Sequence, residues 1–159
     1  MIFASVTHEL GALDQRVWWL FRAASTLHFV GLSLLVGSLL VMDLRALGVI
    51  RHGGYPEVAG LARIAALGLL ISAVSGVVML SSKPEQYWEA WPFRYKMLVM
   101  LIALLNAAWF TLIGQRKLAS LPATASAPLS VKVSAALSLV AWLIVIVLGR
   151  SIFEFASSG

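Results

Sequence analysis

Cysteine is missing from all 159 residues, and charge is scarce: Lys, Arg, Asp and Glu make up 12% of the chain. The first absence excludes disulfides, thiolate metal sites and cysteine nucleophiles. The second excludes an ordinary water-soluble domain, in which roughly 25% of residues are charged. With 60% hydrophobic residues, the chain has more apolar surface than a soluble core of this size can hide. An integral membrane protein is expected, with residues 1–159 forming a single membrane domain. Other things are also lacking. There is no strand alternation of the kind a barrel needs. No nucleophile–base–orienter set and no phosphate-cradling glycine loop is visible, and "RHGGYP" at 51–56 follows no strand and reads as a turn. The net charge of +5 then reads as Lys and Arg facing anionic headgroups, so the predicted surface is a lipid bilayer and no nucleic acid is implied.

What is present is four apolar runs. A bilayer core of about 30 Å takes about 20 apolar residues as helix. Residues 23–42 carry one titratable group, His28, and residues 64–82, 97–114 and 133–149 carry none. With their ends extended, the spans cover about 20–45, 60–82, 94–115 and 131–152. Lipid obliges backbone groups to pair within a segment, so each is a helix. The connections are short and hold turn residues such as Gly53, Gly54 and Pro56. The expected fold is therefore all-α, an up-down-up-down four-transmembrane-helix bundle. The opening "MIFASVTHELGALDQR" has no basic start, and Glu9 and Asp14 interrupt any apolar core of a signal peptide. A short amphipathic or irregular lead-in at the membrane surface is expected instead. Ser33 with Gly37, and Ser72 with Gly76, mark close helix contacts. Trp18, Trp19, Trp88 and Trp91 read as interfacial belts.

Orientation is weakly encoded. Arg16, Arg22, Lys83, Arg94, Lys96 and Arg150 fall on the amino-terminal side, and Arg45, Arg51, Arg63, Arg116, Lys117 and Lys132 on the other. Setting aside Arg22, Arg94 and Lys96 as residues within helix ends leaves the 1–2 and 3–4 loops cytoplasmic and both termini periplasmic.

Topology brings the starts of spans one and three to one face. His28 would lie about 8 Å deep, near Lys96, Arg22 and Arg94. An ionisable group inside a span is a functional candidate. Three roles suit His28. It can be an axial ligand to haem b, with Arg22, Arg94 or Lys96 pairing the propionates. It can bond a quinone head group or relay protons. It can also simply bond a serine or carbonyl of the next helix. His8, His28 and His52 are too few for a two-haem cytochrome. A single haem would take Lys96 or one of Met79, Met97 and Met100 as second ligand, or stay five-coordinate, although these methionines more simply pack. Met97 and Met100 form one MxxM pair, a weak copper signal. At the other end, Asp43 and Arg45 would end span one at the headgroups and bridge to Arg63 or Glu57. Asn106 would bond across helices.

These residues carry a resemblance. "WLFRAASTLHFVGLSLLVGSLLVMDLRALG" followed by "WPFRYKMLVMLIALLNAAWF" resembles an uncharacterised family of bacterial four-span inner-membrane proteins. The shared pattern is His28, Gly31, Asp43, Leu44 and Arg45, then Phe93, Arg94, Lys96 and Asn106. More distantly the chain looks like the membrane domain of copper-resistance protein D and the four-helix membrane protoporphyrinogen oxidases. In the latter family a first-span His and a third-span Lys are associated with haem, and His28 and Lys96 match those places. The family's later span-three His is replaced by the stretch Asn106–Phe110. The resemblance implies a haem b site for electron transfer with a redox partner. The alternatives are a non-catalytic anchor in a larger membrane complex, or a small copper or solute transporter.

Overall fold

The computed structural model describes residues 2–50, 60–82, 84–119 and 126–157, with side chains for 18–50, 60–82, 84–118 and 126–152. The helices are α1 (Ile2–Leu47), α2 (Leu61–Ser82), a short α3 (Pro84–Glu89), α4 (Trp91–Trp109), a π-helical turn (Phe110–Gly114), α5 (Gln115–Ala119) and α6 (Leu129–Ser157). No strand occurs among the described residues. Four stretches are long and apolar enough to cross a membrane: Trp18–Leu47, Leu61–Ser82, Trp91–Leu118 and Leu129–Ile152. The chain is an all-α, multi-pass membrane protein. Leu67, Leu70, Val74 and Val77 of α2, and Leu98 and Leu105 of α4, point outward, as lipid allows and water does not.

The lead-in is helical and continuous with span one. Chain punctuation explains the other boundaries. α1 stops where Gly48 takes φ +83, a conformation that suits glycine at a helix C-terminus. There the Gly48 N–H donates to the Arg45 carbonyl at 3.1 Å and the Val49 N–H to the Leu44 carbonyl at 3.0 Å. Pro92 opens α4, where a missing N–H costs nothing.

Packing follows an open order. α2 lies along α1, α1 against α6, and α6 against α4, whereas α2 and α4 are not seamed together in the same way. Midway along the bundle, Leu35, Ala65, Ala103, Ala141, Trp142 and Val145 form a shared core. Hydrophobic exclusion does not drive helices together in lipid, so close van der Waals contact must hold them. The closest approach is at two glycines. A β-carbon at Gly31 would sit 2.7 Å from the Gly68 carbonyl oxygen, and one at Gly68 would sit 2.5 Å from the Leu35 nitrogen. Ser72 is buried beside them, and Gly76 faces His28, so the Ser72–Gly76 pair marks a contact as expected. Ser33 and Gly37 do not. Both face outward, Gly37 has nothing within 4 Å of its open side, and the Ser33 hydroxyl donates to its own helix at the Phe29 carbonyl, 2.9 Å away.

Candidate functional site

The glycine crossing also positions His28, one turn earlier on α1. With backbones this close, His28 reaches the main chain of α2. Its Nδ1 lies 2.8 Å from the Ser72 carbonyl oxygen. A carbonyl only accepts, so Nδ1 carries a proton; in the neutral form of that ring Nε2 is a lone pair. The Ser72 hydroxyl donates in return to the His28 carbonyl at 3.1 Å. The Ser75 hydroxyl is 3.4 Å from Nδ1 and donates to the Ile71 carbonyl at 2.6 Å. The Nδ1–Cε1 edge lies over Gly76, with Cε1 3.3 Å from where a β-carbon would be. Gly76 is six residues from the end of α2, about 9 Å at 1.5 Å per residue. His28 is half-buried, and Nε2 has no hydrogen-bond partner among the described residues.

Lys96 is the second inward group. It is half-buried on α4, and its Nζ rests 3.4 Å from the position a β-carbon would take at Gly149 of α6. The structure thus brings an imidazole on α1 and the Lys96 amino group on α4 to the same end of the bundle. Arg22 and Arg94 stay at the surface. Arg22 lies over the Trp18 ring, 4.5 Å from its centroid, so it is engaged at the interface and not inside the bundle. Trp18, Trp19, Trp88 and Trp91 are all exposed, as belts require.

Beneath this end lies an aromatic floor. Ala90, Phe93 and Ile152 are buried together, with Leu80, Tyr87 and Met97 packed against them. Tyr87 and Trp88 flank Phe93 at 5.8 and 5.9 Å between ring centroids. Burial pushes the Tyr87 phenol above its ordinary pKa.

The donor set can be tested against the groups expected here. Among the described residues, no three His, Asp or Glu side chains converge on a bare metal ion. Met97 packs into the aromatic floor and Met100 into the central core, the apolar role favoured for them. Haem b is a different case, because it brings its own equatorial nitrogens and needs one protein donor. A neutral imidazole, held through Nδ1–H to a carbonyl with Nε2 open, is the form that ligates iron. Of the described residues, His28 would supply the one nitrogen donor to such a group.

At the other end Asp43 and Arg45 are both buried against the bundle four and two residues before the end of α1. The Asp43 Oδ2 atom is buried with no hydrogen-bond partner. Arg45 donates from Nη1 to the Ile50 carbonyl at 3.3 Å, and Arg63 is exposed. Glu57 and His52 lie outside the described residues. Asn106 does bond across helices, to Ser134 of α6. The expected bond from His28 to a serine or carbonyl of the next helix is present; sequence reasoning did not name Ser72 and Ser75 as its partners, or Gly149 as the seat of Lys96. The one signal that could have found them was the placing of Ser72, Ser75 and Gly76 on one helical face. No family model, no curated protein and no solved structure matches the chain.

Proposed function

We propose that this is a bacterial inner-membrane protein, with both termini periplasmic, that binds one haem b at the His28 end and serves electron transfer. The observation that carries the reading is the bond from His28 Nδ1–H to the Ser72 carbonyl at 2.8 Å, because it fixes the tautomer and aims Nε2 as a donor. Haem supplies one-electron chemistry when bound. His28 would hold the iron through Nε2. Lys96 would pair a propionate or give a second axial bond as the neutral amine, and Arg22 and Arg94 would add positive charge at headgroup level. The resemblance to the four-helix protoporphyrinogen oxidases at His28 and Lys96 supports the same assignment.

The test is the absorption spectrum of detergent-purified protein expressed with haem supplied. A Soret band is expected, with one haem per chain by pyridine haemochrome and loss of the band in His28→Ala. Lys96→Gln separates the two roles of Lys96: a displaced Soret maximum means iron ligation, and weaker haem retention at an unchanged maximum means propionate pairing. A colourless protein overturns the reading. If such a protein carries extractable quinone, the same acceptor–donor pair serves a quinone carbonyl.

A second reading is favoured by the open order of the bundle. Because α2 and α4 are not seamed together, a helix of another subunit can lie along that side. The protein would then be a non-catalytic anchor in a larger membrane complex, and a stoichiometric partner would co-purify with colourless protein.

A further inference from the structure

Polar groups at the end opposite His28 fall into two sets that differ in how well they are satisfied. Asn106 and Ser134 satisfy each other: Asn106 Nδ2 donates to the Ser134 carbonyl at 3.0 Å, and the Ser134 hydroxyl donates to Asn106 Oδ1 at 2.8 Å. A closed pair of this kind ties α4 to α6 and needs nothing further. One turn along α6, Ser138 is also buried. Here the count does not close. Asp43 is 6% exposed, and its Oδ2 is buried with no hydrogen-bond partner.

The neighbouring cations do not repair this. Arg45 sits two residues on and donates to the Ile50 carbonyl. Arg63, Arg116 and Lys117 are exposed, and Lys132 is half-buried at the start of α6. Oδ2 accepts from none of them. An ionised carboxylate with one oxygen left unanswered in a buried site is strongly disfavoured. Oδ2 exposes less than 1 Å², which leaves no space for a cation with its coordination shell. A proton is the ligand that fits without moving a helix.

We propose that Asp43 is a proton-binding site, holding a proton on Oδ2. The step is carboxylate plus hydronium giving carboxylic acid plus water; an O–H bond forms and no electron moves. Asp43 lies four residues before the end of α1 at Leu47, about 6 Å along the axis. Protons therefore exchange with the membrane face opposite the His28 end. A protonatable carboxyl inside a span is what proton-coupled membrane proteins use, and this assignment stands independently of the haem reading.

The chain has two aspartates, Asp14 and Asp43, which makes the test clean. Protein labelled with ¹³C-aspartate is reconstituted in lipid vesicles near neutral pH, and its infrared spectrum is recorded. A label-sensitive carbonyl stretch of a protonated carboxylic acid is expected. It persists in Asp14→Asn, where Asp43 is the sole aspartate, and is lost in Asp43→Asn. Should Asp43→Asn fail to fold, Asp14→Asn decides alone. Label shifts confined to carboxylate bands, in the wild type and in Asp14→Asn, overturn the proposal.

Discussion

Replacing Gly31 by alanine tests whether the glycine crossing holds the two helices that orient His28. The added β-carbon would stand 2.7 Å from the Gly68 carbonyl oxygen, 2.7 Å from the Ser72 nitrogen and 2.8 Å from the Ser72 hydroxyl oxygen. Two of these are backbone atoms and cannot turn aside. Ordinary contact begins at 3.4 Å, so α1 and α2 must separate by about 0.7 Å, the difference between 3.4 and 2.7. That displacement takes the His28–Ser72 bond from 2.8 Å to about 3.5 Å, beyond useful hydrogen-bond length. The return bond at 3.1 Å is lost with it. Each interhelical bond in lipid contributes about 0.6 to 1.7 kcal/mol. A gap of this size also forfeits a quarter to a half of the dispersion energy along the contact. Alanine's better helix propensity returns about 0.5–1 kcal/mol. The net expected loss is about 2–3 kcal/mol, read by reversible unfolding in mixed micelles followed by circular dichroism.

Gly37→Ala is the internal control. Nothing lies within 4 Å of that position, so the change should be neutral or slightly stabilising. Gly68→Ala meets the Leu35 nitrogen at 2.5 Å and the Gly31 carbonyl oxygen at 2.6 Å, so it should cost at least as much as Gly31→Ala. The double variant should cost clearly less than the sum, because the first alanine already opens the seam for the second. Equal stabilities for Gly31→Ala and Gly37→Ala would refute the reasoning, as would strict additivity of the two crossing glycines.

Contacts elsewhere give two further expected outcomes. Ser134→Ala leaves Asn106 Oδ1 without its 2.8 Å donor and should cost about 1–2 kcal/mol; a double-mutant cycle with Asn106→Leu should recover part of that loss, and a coupling energy near zero would argue against the pair. Burial holds the Tyr87 phenol above its ordinary value of 10.0, so the folded protein keeps this proton more tightly than the unfolded chain. That stabilisation is complete below about pH 10 and is lost as pH rises through the folded value. Of three tyrosines, one should form phenolate late in an ultraviolet titration in detergent, and Tyr87→Phe should remove that late phase; simultaneous titration of all three contradicts the burial.

Span number and topology were legible because they depend on length and apolarity, which lipid enforces residue by residue. His28 and Lys96 could be assigned to one end for the same reason: antiparallel order alone decides it. Helix rotation was not legible. In a soluble helix the polar face points outward and reveals the rotation, whereas in lipid both faces are apolar and a small residue fits either one. Ser33 and Gly37 therefore looked as good as Gly31 until the backbones were in place. The burial of Asp43 was not legible for a related reason. A charged residue near the end of an apolar run is normally a headgroup residue, and nothing local distinguishes it from one that is sealed inside. The distinction lies on another helix, where Ser134 and Ser138 stand one turn apart on the buried face of α6. Taken alone, those serines are ordinary small residues of a membrane helix. With α1 and α4 beside them, Ser134 is fully used by Asn106, and the Asp43 Oδ2 is left unanswered. That unanswered oxygen separates a structural polar contact from a binding site, and it becomes visible when three helices are taken together.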